Sequence, residues 1–316
     1  HLAPTFGADD FATAREKGLP LMLVDSGSKS LVPIVDLEGR FVSGLGEFSR
    51  RFVKPDFCKK NDSVDVDIVV KLKKEGLAFK SEKYEHSYPH CWRTDKPILY
   101  YPLDSWFVRS TEYRDLMIEK NKEINWKPES TGVGRFQNWL ENLNDWNLSR
   151  SRFWGIPLPI WKTTDGGEVT CVGSVEELYG LCVEAVEAGV MKKNPLSNFK
   201  PKDMSEENYT VFDLHKNCVD DIVLVSPNGN PMYRESDVID VWFDSGAMPY
   251  AQWHYPFENK ELIDSRLFFP ADFIAEGVDQ TRGWFFTLHA IAVMCFGEKA
   301  FKNVISNGLV LDHLGQ

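Results

Sequence analysis

A chain of 316 residues is too long for one small domain and implies about two units. With 43% hydrophobic and 26% charged residues it can bury sizeable cores, and a net charge of −11 excludes capture of nucleic acid by a broadly basic surface. No apolar run reaches the roughly 20 residues of a membrane span, and His1-Leu2-Ala3-Pro4 has neither the basic nor the apolar region of a signal peptide.

Residues 1–11 read as a Gly- and Pro-containing loop ending in Asp9-Asp10, followed by a short helix over 11–17 that Gly18 stops. Residues 21–24 and 32–35 have strand character. Ser63 is placed to cap a helix whose apolar positions Val64, Ile68 and Leu72 recur every four residues, with Gly76 at its end. Residues 77–84 alternate like a strand. Character changes near His86, from short strands and turns to aromatic-rich runs with longer helices, so the domain boundary falls between Tyr84 and Pro97. Residues 156–161 read as a buried strand, and Ser174-x-x-Glu177 is a capping box opening a helix to about Ala188. A polar inserted loop spans 195–236 and carries a hairpin with Asn228-Gly229 at its turn. Strands are expected over 238–243, 273–276 and 302–309. A helix should run from Asp279 or Gln280 to Phe296, closed by Gly297. Strands alternating with helices predict a parallel α/β sheet in this second part. Short basic runs, Lys71-Leu72-Lys73-Lys74 and Lys192-Lys193, read as solvated surface.

Cysteines at 58, 91, 171, 182, 218 and 295 form no C-x-x-C pair, and the single H-x-x-C of His215 and Cys218 has no second half. The spacing therefore predicts no structural zinc, and free thiols in a reducing compartment.

Three stretches carry chemistry. In the first, residues 275–285 (A-E-G-V-D-Q-T-R-G-W-F), a strand passes into a helix, the junction where open α/β sheets bind ligands. Gly277 permits a tight turn or close approach, Glu276 and Asp279 can accept from ribose hydroxyls or an ammonium, Gln280 can donate or accept, and Trp284 offers a flat apolar face. A plain capping loop, its acids facing the helix dipole, accounts for the same residues. In the second, residues 240–246 (D-V-W-F-D-S-G), an extended strand would put Trp242 and Asp244 on one face; a core tryptophan beside a turn is the alternative. In the third, residues 145–157 (D-W-N-L-S-R-S-R-F-W-G-I-P), Arg150 and Arg152 suit either phosphate or RNA, or buried carboxylates.

In order and content these stretches resemble the isoleucyl-tRNA synthetases: S-R-x-R-x-W-G-x-P, then D-V-W-F-D-S-G, then E-G-x-D-Q-x-R-G-W-F. His1-Leu2-Ala3-Pro4 with Gly7 and Asp9-Asp10 resembles the end of that family's editing peptide, residues 86–93 its return to the catalytic core, and residues 307–312 the strand leading into its KMSKS loop. The resemblance implies an α/β fold: residues 1–88 as the C-terminal part of a β-rich editing domain, and 89–316 as the second half of a Rossmann-like parallel α/β catalytic core. It implies a cytoplasmic enzyme that activates isoleucine with ATP, Mg2+ accompanying the nucleotide, forms isoleucyl-adenylate and charges an isoleucine tRNA, with no membrane partner. Trp242 and Trp284 would line the isoleucine side chain, with Asp244 on the same strand face. Glu276, Gly277, Asp279 and Gln280 would hold the adenylate. Asp10, with His1 nearby, would serve the hydrolysis of misattached valine. The HIGH and KMSKS segments are absent from the sequence, so the chain alone is expected not to activate isoleucine. Some relatives have a zinc-binding cysteine three residues after Cys91; Thr94 stands there, so no metal is expected. The alternative from another class is a silent RNA- or protein-binding module on a synthetase scaffold, against which the intact Glu276, Asp279 and Trp284 argue.

Overall fold

The computed structural model describes residues 2–25, 31–54, 64–313 and 315. It divides into two compact units, His1–Asp104 and Ser105–Gln316. The division falls later in the chain than the change of character near His86.

In the first unit, α1 (Ala8–Lys17) begins three residues ahead of the expected start. Asp9 and Asp10 therefore lie inside its first turn, where the helix dipole favours carboxylates. The Asp10 carboxylate reaches back to accept the Ala3 N–H at 2.8 Å, which fixes the incoming loop. Gly18 closes α1 in the left-handed conformation, as expected. Strands β1 (Leu23–Asp25) and β2 (Leu31–Pro33) pair antiparallel with Val24 opposite Val32. The buried Thr5 hydroxyl accepts the Met22 N–H at 2.7 Å and so ties the N-terminal loop to the segment leading into β1. Helix α2 (Asp65–Lys74) matches the four-residue periodicity, while its expected cap, Ser63, lies outside the described residues. The strand expected over 77–84 does not form. Phe79 is fully exposed, and no ladder pairs with this stretch among the described residues. Alternation makes a strand only where a neighbouring strand takes up its hydrogen bonds. Further on, Cys91 heads a tight turn in which the Thr94 N–H donates to its carbonyl at 3.2 Å. A hydrogen bond with the Thr94 side chain, aided by backbone bonds from Arg93 and Thr94, holds the Cys91 thiol below its ordinary pKa.

The second unit opens with β3 (Phe107–Val108), α3 (Arg114–Asn121), β4 (Asn125–Lys127), α4 (Gln137–Glu141), β5 (Trp146–Asn147) and β6 (Ser149–Arg150). Next come β7 (Ile160–Thr163), β8 (Val169–Cys171), α5 (Val175–Glu187), α6 (Glu206–Tyr209), α7 (Lys216–Val219), β9 (Val223–Val225) and β10 (Pro231–Arg234). The unit ends with β11 (Val238–Ile239), α8 (Val241–Ala251), α9 (Lys260–Asp264), β12 (Ala271–Gly277), α10 (Trp284–Phe296) and β13 (Phe301–Asn307).

Two separate cores form within it. Residues 156–236 hold an antiparallel sheet in the order β8-β7-β10-β9, packed on α5 around Trp161, Leu178, Cys182, Leu224 and Met232. The strand expected at 156–161 forms only at its end, where β7 starts at Ile160; before it Pro157 makes a single bridge to Val238, and β7 pairs antiparallel rather than within a parallel sheet. The polar stretch 195–236 is folded into this layer through the expected hairpin, with Gly229 in its turn. The Ser174 hydroxyl accepts from Glu177 N at 3.0 Å, so the predicted cap opens α5. The second core surrounds a parallel sheet in the order β12-β13-β4, with Ile274 beside Val304 and Val304 beside Trp126. Helix α10 lies in this core, buried along nearly its whole length.

His289 lies midway along α10, fully buried among apolar and aromatic side chains. Its Nε2–H donates to the Met117 carbonyl at 2.9 Å, while Nδ1 has no partner. Burial pushes its pKa down from 6.5 to about 4, so the folded chain holds it neutral. Unfolded, the ring takes a proton as pH drops below about 6.5. This contribution to stability is complete above that pH and is lost as pH falls through about 4. Denaturant titrations from pH 7 to 4 should show a loss of about 3 kcal/mol from this group. His289→Gln should remove that part of the slope, and an identical slope in the variant would show that other groups carry it.

Candidate active site

The carboxyl ends of β12 and β13 place Gly277 beside Asn307 at one rim of the parallel sheet. A 3-10 turn over Val278–Arg282 follows β12 and delivers the chain into α10. Ligands bind at such rims because helix N-termini and strand ends leave backbone groups free there.

Glu276 shares a sheet face with Ile274, which packs against the helical core, but it lies beyond that core and is exposed. Gly277 has ordinary extended backbone angles, so the turn itself does not demand glycine. A Cβ there would come within 2.5 Å of the Asp279 carboxylate, so the missing side chain makes room for that acid. Gln280 acts as a local brace. Its amide nitrogen donates to Asp279 Oδ2 at 3.1 Å, and its oxygen accepts the Trp284 N–H at 2.9 Å. The predicted capping role of this loop is therefore partly realised, by Gln280 rather than by the acids. Thr281, fully buried, donates to the Val278 carbonyl at 2.8 Å and accepts from Arg135 Nε at 3.2 Å, which seats the turn.

The stretch expected as a strand over 238–243 is broken. β11 ends at Ile239 and α8 starts at Val241. Asp240 decides this, since its side chain accepts the Trp242 N–H and caps the helix. Trp242 and Asp244 therefore sit two residues apart on a helix and do not share a face. Trp242 is 40% exposed, and its ring edge lies 3.4 Å from where a Cβ on Gly283 would stand, so it borders the turn before α10. Trp284 leans the other way, its indole N–H donating to the Ser245 carbonyl at 3.0 Å. The two indoles thus belong to one layer, α8 with α10, at the rim that carries Glu276 and Asp279. Asp244 is half-buried with Oδ1 unpartnered; burial, then the charge of Asp240, raises its carboxyl above the ordinary carboxylate range.

Asp240 itself escaped sequence reasoning. Its Oδ2 accepts from Arg150 at 2.9 Å and from the Trp146 indole at 3.2 Å. An Asp two residues ahead of Trp242, at the end of a short apolar run, was a helix-cap signal, but the β-prone Val-Trp-Phe run masked it. The open question over the arginines resolves by residue: Arg150 pairs with a buried carboxylate, while Arg152 is exposed and its guanidinium makes no polar contact among the described residues. In the first unit, Asp10 stands in the first turn of α1, and His1 lies outside the described residues. Among the described residues no cluster of three His, Cys, Asp or Glu side chains suits a metal ion.

Residues 58–316 match the family of class I tRNA synthetases for isoleucine, leucine, methionine and valine. The chain is 58% identical over 337 aligned residues to the isoleucine–tRNA ligase of Bacteroides fragilis and 55% identical over 335 to that of Porphyromonas gingivalis. Each alignment covers the whole chain and 30% of the relative. The isoleucine–tRNA ligase of Thermus thermophilus is 45% identical, again over the whole chain and 26% of its own length.

Proposed function

The chain belongs to the class I tRNA synthetases, and we propose that it is an internal piece of an isoleucine–tRNA ligase. The observation that carries this is identity of 55–58% to isoleucine–tRNA ligases along the entire chain. The chain spans about 30% of the length of those relatives. The physical state of the sheet supports the same reading. Phe273 and Ile305 share the sheet face away from α10 and are 56% and 43% exposed. Parallel sheets are normally covered on both faces, so further elements belong there. Residues 89–316 are then the second half of a Rossmann catalytic core, and 1–88 the C-terminal part of an editing insertion.

In the whole cytoplasmic enzyme, the isoleucine carboxylate attacks the α-phosphate of ATP, pyrophosphate leaves, and the isoleucyl group passes from the adenylate to a ribose hydroxyl of its tRNA. Trp242 and Trp284 border the isoleucine side chain. Glu276, Asp279 and Gln280 hold the ammonium and ribose of isoleucyl-adenylate, Gly277 leaves room for the Asp279 carboxylate, and Asp244 adds a half-buried carboxyl beside the pocket. Mg2+ would come with the ATP phosphates, since it is held mainly by phosphate oxygens and water with one or two carboxylates. Isoleucine and valine differ by one methylene, worth ~1–3 kcal/mol in an apolar pocket, a general figure for which isoleucyl enzymes are themselves the standard illustration and not one derived from this chain. Hydrolysis of misattached valine is therefore required, and Asp10 with His1 serves it in the first unit.

In the full-length protein, Trp242→Ala and Trp284→Ala should each raise the isoleucine KM by roughly tenfold, the burial of a branched side chain being worth ~1.5–3 kcal/mol. An unchanged KM in both would remove the pocket from this rim. The chain by itself should give no isoleucine-dependent ATP–pyrophosphate exchange above background, since the positive donors for the ATP phosphates lie in segments it lacks. Clear exchange would overturn that expectation. Asp10→Ala should abolish deacylation of valyl-tRNA while sparing isoleucine activation; if deacylation persists, Asp10 serves only to accept the Ala3 N–H.

A further inference from the structure

We propose that Gly246 sets the width of the amino-acid pocket, acting as a specificity-determining position although it does not line it. The inference rests on the assignment of Trp242 and Trp284 to that pocket. Gly246 is buried where α8 crosses α10. A Cβ built there would stand 3.0 Å from the Thr287 backbone carbonyl carbon, 3.0 Å from Thr287 Cβ and 3.0 Å from Ile291 Cδ1. The Ile291 methyl is the tip of a flexible side chain and can turn away. The Thr287 backbone cannot, because it is part of the buried helix. Any side chain at 246 therefore displaces α8 from α10 by a few tenths of an ångström.

The crossing lies one helical turn from both indoles. Trp242 is four residues before Gly246 on α8, and Trp284 is three residues before Thr287 on α10. Trp284 is also tied to α8 directly, through its indole N–H on the carbonyl of Ser245, next to Gly246. Trp242 abuts Gly283 at the start of α10. A shift at Gly246 thus reaches both walls together, lengthening the Trp284–Ser245 bond and drawing Trp242 away from Gly283. The inner face of α8, with Phe243, Ala247 and Tyr250, packs against the core and transmits the shift as a rigid body.

The test compares kcat/KM for isoleucine and valine in ATP–pyrophosphate exchange by the full-length protein, with Tm measured alongside. Gly246→Ala should lower the isoleucine-to-valine ratio by about threefold or more, a fraction of what one methylene supplies, through KM rather than kcat. An unchanged ratio, whatever happens to Tm, overturns the proposal. Should Gly246→Ala alone not give folded protein, Gly246→Ala combined with Ile291→Val carries the test: it relieves the contact with the flexible methyl but keeps the one with Thr287, so the ratio should still change at least about twofold, and an unaltered ratio again overturns the proposal. Trp242→Ala run in parallel separates the two levels. If it raises the isoleucine KM while the crossing variants change nothing, the pocket assignment stands and the role of Gly246 fails. If Trp242→Ala also changes nothing, the assignment fails and the role of Gly246 fails with it.

Discussion

Asp240 is a carboxylate whose side chain is 6% exposed, held by donors from three places in the chain. Arg150 supplies the charge, Trp146 an indole N–H, and Trp242 the backbone N–H that starts α8. Removing one partner of a buried ion pair costs on the order of 3–5 kcal/mol, because the other charge is left unpaired. Arg150 keeps about a third of its side chain in solvent, which moderates that cost here. The carboxylate is nonetheless what turns a short β strand abruptly into a helix, and the direction of α8 follows from it. That direction brings Trp242 to the sheet rim and Gly246 against α10.

Helix α10 is the other half of this arrangement. Its residues are apolar nearly all round, which suits a helix enclosed on every side rather than an amphipathic surface helix. One side meets the sheet through Phe285, close to Trp126 and Phe301, and another meets α8 at Gly246. His289 is tolerated in the middle because one ring nitrogen finds the Met117 carbonyl and the ring stays neutral. Such a helix has little freedom to move, so the residues at its N-terminus are presented by a rigid support. Gln280 and Thr281 extend that support into the turn by hydrogen bonds on either side of the entry to α10.

The sheet rim at Glu276 and Asp279 is more exposed than the core beneath it. Glu276 and Asp279 face outward, and Trp242 keeps much of its ring in solvent. Asp279 is steadied there by the Gln280 amide, which donates to its Oδ2. The half-buried Asp244 differs, since burial and the nearby Asp240 both disfavour its charge. Carboxyl groups of unlike character therefore lie in one short region, two exposed, one half-buried and one locked in a structural pair.

Much of this was legible in the residues. Caps and stops act within a few residues, so Ser174 with Glu177, the hairpin at Asn228-Gly229, and the glycine ends at Gly18 and Gly297 were readable from local chemistry. The order of the three motifs likewise pointed to the family, which the match over residues 58–316 bears out. Other features depended on distant partners. The alternation at 77–84 promised a strand that has no neighbour to pair with, and the Val-Trp-Phe run promised a strand that Asp240 turned into a helix. The sheet formed by β7 to β10 is antiparallel throughout, two hairpins, β7-β8 and β9-β10, joined by the long-range pair β7 with β10, whereas among the described residues β4, β12 and β13 line up in parallel. The sequence by itself determined the family, through its motifs, and where the chain must turn, because those are properties of individual residues and their near neighbours. The tertiary structure alone decided which face each side chain occupies, since that depends on pairing across 90 residues between Arg150 and Asp240 and on the close crossing of two helices at one glycine.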